Sequence, residues 1–168
     1  MLGGQRDKMI RHTLLAVVVA LVICGCSSNP RVAAQLSEED KIREAVFRHQ
    51  FEFNASGLGN SAYAYFLSIE GGNDPSPELL EQFSGHRPPV KPVTASVLEP
   101  GTAQVLDRDS RLPGLIFMIK EILWLSDDEV EVEGGYEEAS ENGAGNMYRL
   151  KKEDGRWRVV ASQMLWIK

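Results

Sequence analysis

The stretch from Leu115 to Glu138, LIFMIKEILWLSDDEVEVEGGYEE, decides the fold. Leu115 to Leu125 is apolar apart from Lys120 and Glu121, which predicts a long strand. Ser126-Asp127-Asp128 is turn chemistry. Glu129 to Glu138 then alternates Glu and Val before Gly134-Gly135-Tyr136, and a glycine pair inside a strand predicts a bulge that bends the sheet. Downstream, Glu141 to Gly145 predicts a turn, Asn146 to Lys152 a third strand, Asp154-Gly155 a tight hairpin and Trp157 to Ile167 the last strand. Four consecutive strands joined by short turns make an antiparallel meander.

Strict alternation along the first of these strands puts Leu115, Phe117, Ile119, Leu123 and Leu125 on one face. Ile116, Met118, Ile122 and Trp124 fall on the other. Only one face is needed against helices, so Met118, Ile122 and Trp124 are candidates for an interface, with a second copy or an envelope protein as partner. The alternative is cover from this chain's own long loop or opening helix. Glu129, Glu131 and Glu133, in phase with one another and opposite Val130 and Val132, read as a solvated face.

Upstream, Ser37 to about Phe53 predicts the first helix. Ser37 with Asp40 matches a capping box, and Glu38, Glu39 and Asp40 sit where the helix dipole favours negative charge. Ile42, Ala45, Val46, His49 and Phe53 form one apolar stripe at helical spacing, with Phe47 and Phe51 on a second face. Ala62 to Ile69 predicts a strand carrying Tyr63, Tyr65, Leu67 and Ile69 on one face. A short helix follows, with Ser76 as N-cap, Pro77 at the first position, Leu79, Leu80 and Phe83 as buried contacts and Gly85 as the stop. His86 to Pro92 reads as a connection, Val93 to Leu98 as a strand and Glu99 to Pro113 as a long loop. Helices first and a curved antiparallel sheet last is an α+β arrangement.

This order, closed by the Gly155-Arg-Trp-Arg-Val-Val160 hairpin strand, resembles the NTF2-like (cystatin-like) superfamily and its SnoaL-like branch over roughly Ser37 to Lys168. The resemblance implies helices packed on a curved sheet whose concave side holds a ligand. His49, within the helical stripe, would then face that space, where an imidazole can act as a general base; the alternative is a structural histidine with satisfied nitrogens. Tyr63 and Tyr65 are the other candidate pocket residues. The ketosteroid-isomerase branch uses an aspartate base with acid and tyrosine donors, and no acid here matches that motif. His86, beside Gly85 and Arg87, reads as a surface loop residue. No HExxH, zinc-ligand spacing, P-loop or dinucleotide glycine fingerprint is present, so neither a metal nor a cofactor is expected.

At the other end, Met9 to Pro30 (MIRHTLLAVVVALVICGCSSNP) joins the basic Arg11 to an apolar run from Leu14 to Ile23. Ten residues rise about 15 Å as a helix, half the roughly 30 Å hydrocarbon core. That predicts a signal peptide over residues 1–25, with Met1 and Met9 both open as the start. Ile23-Cys24-Gly25-Cys26 resembles a bacterial lipobox. Cleavage before Cys26 leaves the small Gly25 behind, whereas cleavage before Cys24 leaves the bulky Ile23, so Cys26 is the expected lipidation site. Several acyl chains there, palmitate among them, exceed the threshold for lasting attachment. Residues 26–36 make the tether and residues 37–168 the domain. Serine after the cysteine resembles the outer-membrane sorting signal, so the expected location is the bacterial cell envelope, on the outer membrane facing the periplasm.

Arg6, Lys8 and Arg11 against Asp7 precede Cys26. Of the 18 basic and 24 acidic side chains, 15 and 23 remain beyond it, a net charge of −8. That argues against nucleic acid as a partner. No cysteine follows Cys26, so stability comes from burial rather than disulfides. The expectation is an envelope lipoprotein whose domain binds a small molecule or a protein without catalysis. The second reading is a SnoaL-like pocket enzyme using His49.

Overall fold

The computed structural model describes residues 35–53, 57–58, 61–139 and 142–168. The chain divides into two units, Met1–Val32 and Ala33–Lys168, and all described residues belong to the second. The signal peptide, Cys26 and the start of the tether lie outside the described residues.

The elements in order are α1 (Glu38–Phe53), β1 (Ala64–Ser68), α2 (Pro77–Glu81), β2 (Val90–Pro92), β3 (Ser96–Leu98), β4 (Val105–Asp107), β5 (Gly114–Ser126), β6 (Glu129–Ala139), β7 (Asn142–Glu153) and β8 (Arg156–Ile167). Short 3-10 turns occupy Glu70–Gly72 and Val93–Ala95. Six strands form one sheet in the order β2-β1-β5-β6-β7-β8, and β3 pairs with β4 in a separate antiparallel ribbon. The predicted meander is present as β5 to β8, all antiparallel. The domain is α+β, but the sheet is mixed: β1 runs parallel to both β2 and β5. Three further corrections concern short pieces. The connection before Pro92 contains β2, the expected strand from Val93 shrinks to β3, and the long loop contains β4. The turn expected at Glu141 to Gly145 is shorter, because β7 already begins at Asn142.

The helix starts are built as their sequence predicts. The Asp40 N–H donates to the Ser37 hydroxyl at 3.0 Å and the Leu79 N–H to the Ser76 hydroxyl at 3.1 Å, caps worth about 1 kcal/mol each. The Asp40 carboxylate bridges its own helix and the start of α2. It accepts from the Ser76 hydroxyl and from Arg43, both at 2.8 Å, and Arg43 reaches Glu70 at 3.0 Å. This network ties the first turn of α1 to the start of α2.

α1 lies against one face of the sheet. Ile42, Val46 and Phe47 are buried there with Phe117, Val132, Leu150 and Trp157. On the opposite face, Ala64 and Phe66 pack with Val105 beneath the β3–β4 ribbon. The rest of that outer face carries an ion-pair ladder. Lys120 meets Glu133 at 3.0 Å, Arg149 meets Glu131 at 2.6 Å and Lys168 meets Glu137 at 3.2 Å, so the Glu repeat of β6 is a charged surface.

The sheet bends at Gly134 and Gly135, but the extra residue sits on the neighbouring strand. Ile119 pairs with Gly134 and Glu121 with Glu133, which leaves Lys120 over. The glycines are needed for close approach. A Cβ on Gly134 would stand 2.6 Å from the Met118 carbonyl, and one on Gly135 would stand 2.1 Å from that of Ala144.

Candidate functional site

The bulge at Lys120 reverses the phase of β5. Leu115, Phe117 and Ile119 face α1, and beyond the bulge Ile122 and Trp124 face it too. Ile122 pairs with the fully buried Val132 and Trp124 with the fully buried Val130, while Trp124 itself stays 43% exposed at the edge of this face. Trp124 stands edge-on to Trp157, ring centres 5.6 Å apart. Met118 pairs with Gly135 on the outer face. The expectation that Met118, Ile122 and Trp124 share an outward face is therefore corrected: two of the three belong to the inner side.

The candidate pocket residues also separate. His49 lies on the inner face, its ring 4.8 Å from that of Phe53 and 5.5 Å from that of Tyr148. Tyr65 packs instead with Phe51 and Phe117, at 5.0 and 4.8 Å. Tyr63 is exposed, with the Lys91 ammonium 5.5 Å from its ring centre. Tyr63 and Tyr65 thus have different surroundings, because Tyr63 precedes the first residue of β1. His86 is half-buried rather than a surface residue. Its ring contacts Phe51 at 5.0 Å, and Nδ1 lies 2.7 Å from the Pro88 carbonyl.

Beside His49 is a cluster that residue-by-residue reading passed over. Gln50, Asn146 and Tyr148 are all buried. Gln50 follows Ile42 and Val46 at helical spacing, on the side of α1 that meets the sheet. Asn146 pairs with Gly134 and Tyr148 with Val132, which puts both on the inner face. The Gln50 amide nitrogen donates to the Met118 carbonyl at 3.2 Å. Gln50 Oε1, Asn146 Nδ2 and Tyr148 Oη each lack a hydrogen-bond partner. Burial pushes the Tyr148 phenol up to about 12, tempered by the neighbouring Gln50 and Asn146 amides. Those amides are close to the phenol, yet no pair among the three atoms meets hydrogen-bond geometry.

The rim of this cluster is apolar and reaches solvent. Met164 pairs with Asn146 and is 60% exposed, and Phe53, at the end of α1, is 65% exposed. His49 is half-buried between Phe53 and Tyr148. Burial lowers its pKa and so favours the neutral imidazole, opposed by the charge of Glu52. Among the described residues no carboxylate or carbonyl forms a hydrogen bond with its ring to orient it as a catalytic base would require.

No family model, curated protein or solved structure matches this chain.

Two grooves lie elsewhere. One of about 460 Å³ runs between α1 and the last hairpin, past Leu36, Lys41, Arg48 and Trp157. Of its charges, Lys41 is engaged by Glu38 at 2.6 Å and Arg48 by Glu44 at 2.8 Å, while Arg156 also lines it. The other, of about 630 Å³, is an open trough beside α2 and His86. Neither groove is lined by Gln50, Asn146 or Tyr148, the buried polar residues that α1 and β7 bring together. Among the described residues, no group of three or more His, Cys, Asp and Glu is placed to hold a metal ion.

Proposed function

We propose that this chain is an envelope lipoprotein, anchored through Cys26, whose NTF2-like domain binds a small molecule on the inner face of its bent sheet without transforming it. One observation carries the reading: three buried polar atoms, from Gln50, Asn146 and Tyr148, lie side by side without partners. Unpaired buried polar groups are costly, about 1–3 kcal/mol each, so they are uncommon unless something answers them. Their position under α1, with an apolar rim of His49, Phe53 and Met164, has the character of a ligand site: mostly apolar walls and a few convergent polar groups. The lipobox-like Ile23 to Cys26 supports the anchor, and the helix-first order with the Gly155 to Val160 closing strand supports the NTF2-like assignment.

Non-enzymatic binding is favoured over His49 catalysis because the imidazole lacks an orienting partner. Substituting His49→Ala and screening the full-length protein for ligand-induced thermal stabilisation separates the two. A binder turns over none of the stabilising compounds, whatever affinity His49→Ala retains through the rest of the site. Turnover of any stabilising compound by wild type, lost in His49→Ala, would establish the enzymatic reading instead.

A further inference from the structure

On the reading that the inner face binds a small molecule, we infer that the ligand presents to Gln50, Asn146 and Tyr148 an uncharged group that both donates and accepts hydrogen bonds, a carboxamide or hydroxyl on an apolar body. The three atoms set this requirement. Gln50 Nε2 is committed to the Met118 carbonyl, so the amide orientation is fixed and Oε1 faces the cluster as an acceptor. Asn146 Nδ2 is a donor, and the Tyr148 hydroxyl serves either way. A group with acceptors alone leaves Gln50 unanswered, and a group with donors alone leaves Asn146 unanswered.

Charge is excluded by what faces the cluster. α1 contributes His49, Gln50 and Phe53; β6 contributes Gly134, Tyr136 and Glu138; β7 contributes Ala144, Asn146 and Tyr148; β8 contributes Ser162 and Met164. None of these is a lysine or arginine, so a buried carboxylate or phosphate would have no permanent counter-charge, and burial disfavours the cationic form of His49. An ammonium fares no better. Glu138, the carboxylate on this face, is four residues from Gly134 along β6, on the order of 13 Å, and already accepts from Asn142. The rim formed by Phe53, His49 and Met164 suits an apolar body.

Butyramide, butyrate and butylamine share a body and differ in the head, which makes them suitable probes for the full-length chain in mild detergent. The side-chain NH2 signals of Asn146 and Gln50 are followed by NMR, with toluene as a headless apolar probe. Butyramide is expected to shift both signals saturably, with at least tenfold higher affinity than butyrate or butylamine. Tyr148→Phe, which keeps the ring, is expected to weaken butyramide at least fivefold while the remaining spectrum stays put. Equal affinities for the three heads, or an unaffected Tyr148→Phe, would overturn the inference. If butyramide moves neither signal while toluene shifts Phe53 and Met164, the polar subsite is wrong and the binding face stands. If no probe moves any signal on this face, both readings fall.

Discussion

The Gln50 side chain donates to the Met118 main-chain carbonyl across 68 positions of sequence, at 3.2 Å. The contact joins α1 to β5 next to the Lys120 bulge, where Gly134 lets the sheet close in. A Cβ on Gly134 would stand 2.9 Å from Gln50 Nε2 as well as 2.6 Å from the Met118 carbonyl. Gly134→Ala therefore pushes on both partners of one hydrogen bond. Urea unfolding should show a loss of about 1–3 kcal/mol, the usual cost of overpacking. A neutral substitution would mean that the sheet does not bend as described.

Gly145 has the same role on the outer face. It pairs with Trp166, and a Cβ there would lie 2.2 Å from the indole nitrogen. The Lys120 and Lys168 ammonium groups stand 5.2 and 5.1 Å from the indole ring centre. Gly145→Ala should lift the indole off the sheet and weaken both cation–π contacts, each worth about 0.5–1 kcal/mol when exposed. Tryptophan emission of the folded variant should shift to longer wavelength; an unchanged spectrum would contradict this packing.

Trp124 and Trp157 form an edge-to-face pair on the inner side. Trp157, 6% exposed and donating to Glu38 at 3.2 Å, should cost about 3–5 kcal/mol when replaced by Ala. Trp124→Glu should also destabilise, losing about 0.5–1.5 kcal/mol of ring interaction beyond lost burial. Sedimentation should show no change of oligomeric state. A Trp124→Glu protein as stable as wild type but dissociated would restore the outward-facing interface.

Two acids should dominate stability at low pH. Hydrogen bonds from Lys152, Lys41 and Trp157 hold Glu38 at about 2, below its ordinary 4.5. Burial pushes Asp107 up, but Lys91 at 2.6 Å and the Ser110 N–H and hydroxyl outweigh it and bring it to about 2 from 3.8. Both groups bind protons more readily when unfolded, so their stabilisation is complete above about pH 4.5 and is lost as pH falls toward 2. Thermal midpoints recorded across that window should fall with pH, and Glu38→Gln should flatten the slope. A slope unaltered by Glu38→Gln would remove the Lys152 and Trp157 contacts from the account.

Where local chemistry is strong, the sequence could be read directly. Ser37 and Ser76 cap their helices, Gly155 takes a positive φ of 75° in the last turn, and Trp157 is buried. β2 and β4 escaped because three residues carry no period, and β2 ends at Pro92 within a proline-rich run. Their pairings, like the parallel contact of β1 with β5, are set by distant segments. The phase error on β5 had a visible source, since adjacent Lys120 and Glu121 interrupt the apolar alternation as a bulge does. Gln50 belongs to no motif. Its position four residues after Val46 and eight after Ile42 was the available signal, as was the phase of Asn146 and Tyr148 with Leu150.

The most direct test of the account is native mass spectrometry of the full-length protein isolated in mild detergent from its native cells, comparing wild type with Asn146→Leu/Tyr148→Phe. The wild-type protein should carry an uncharged small molecule, visible as a discrete mass increment. The double variant, folded by circular dichroism, should have lost it. A wild-type protein without any such increment, or a double variant that retains it, would contradict the assignment of the Gln50–Asn146–Tyr148 cluster as the binding site.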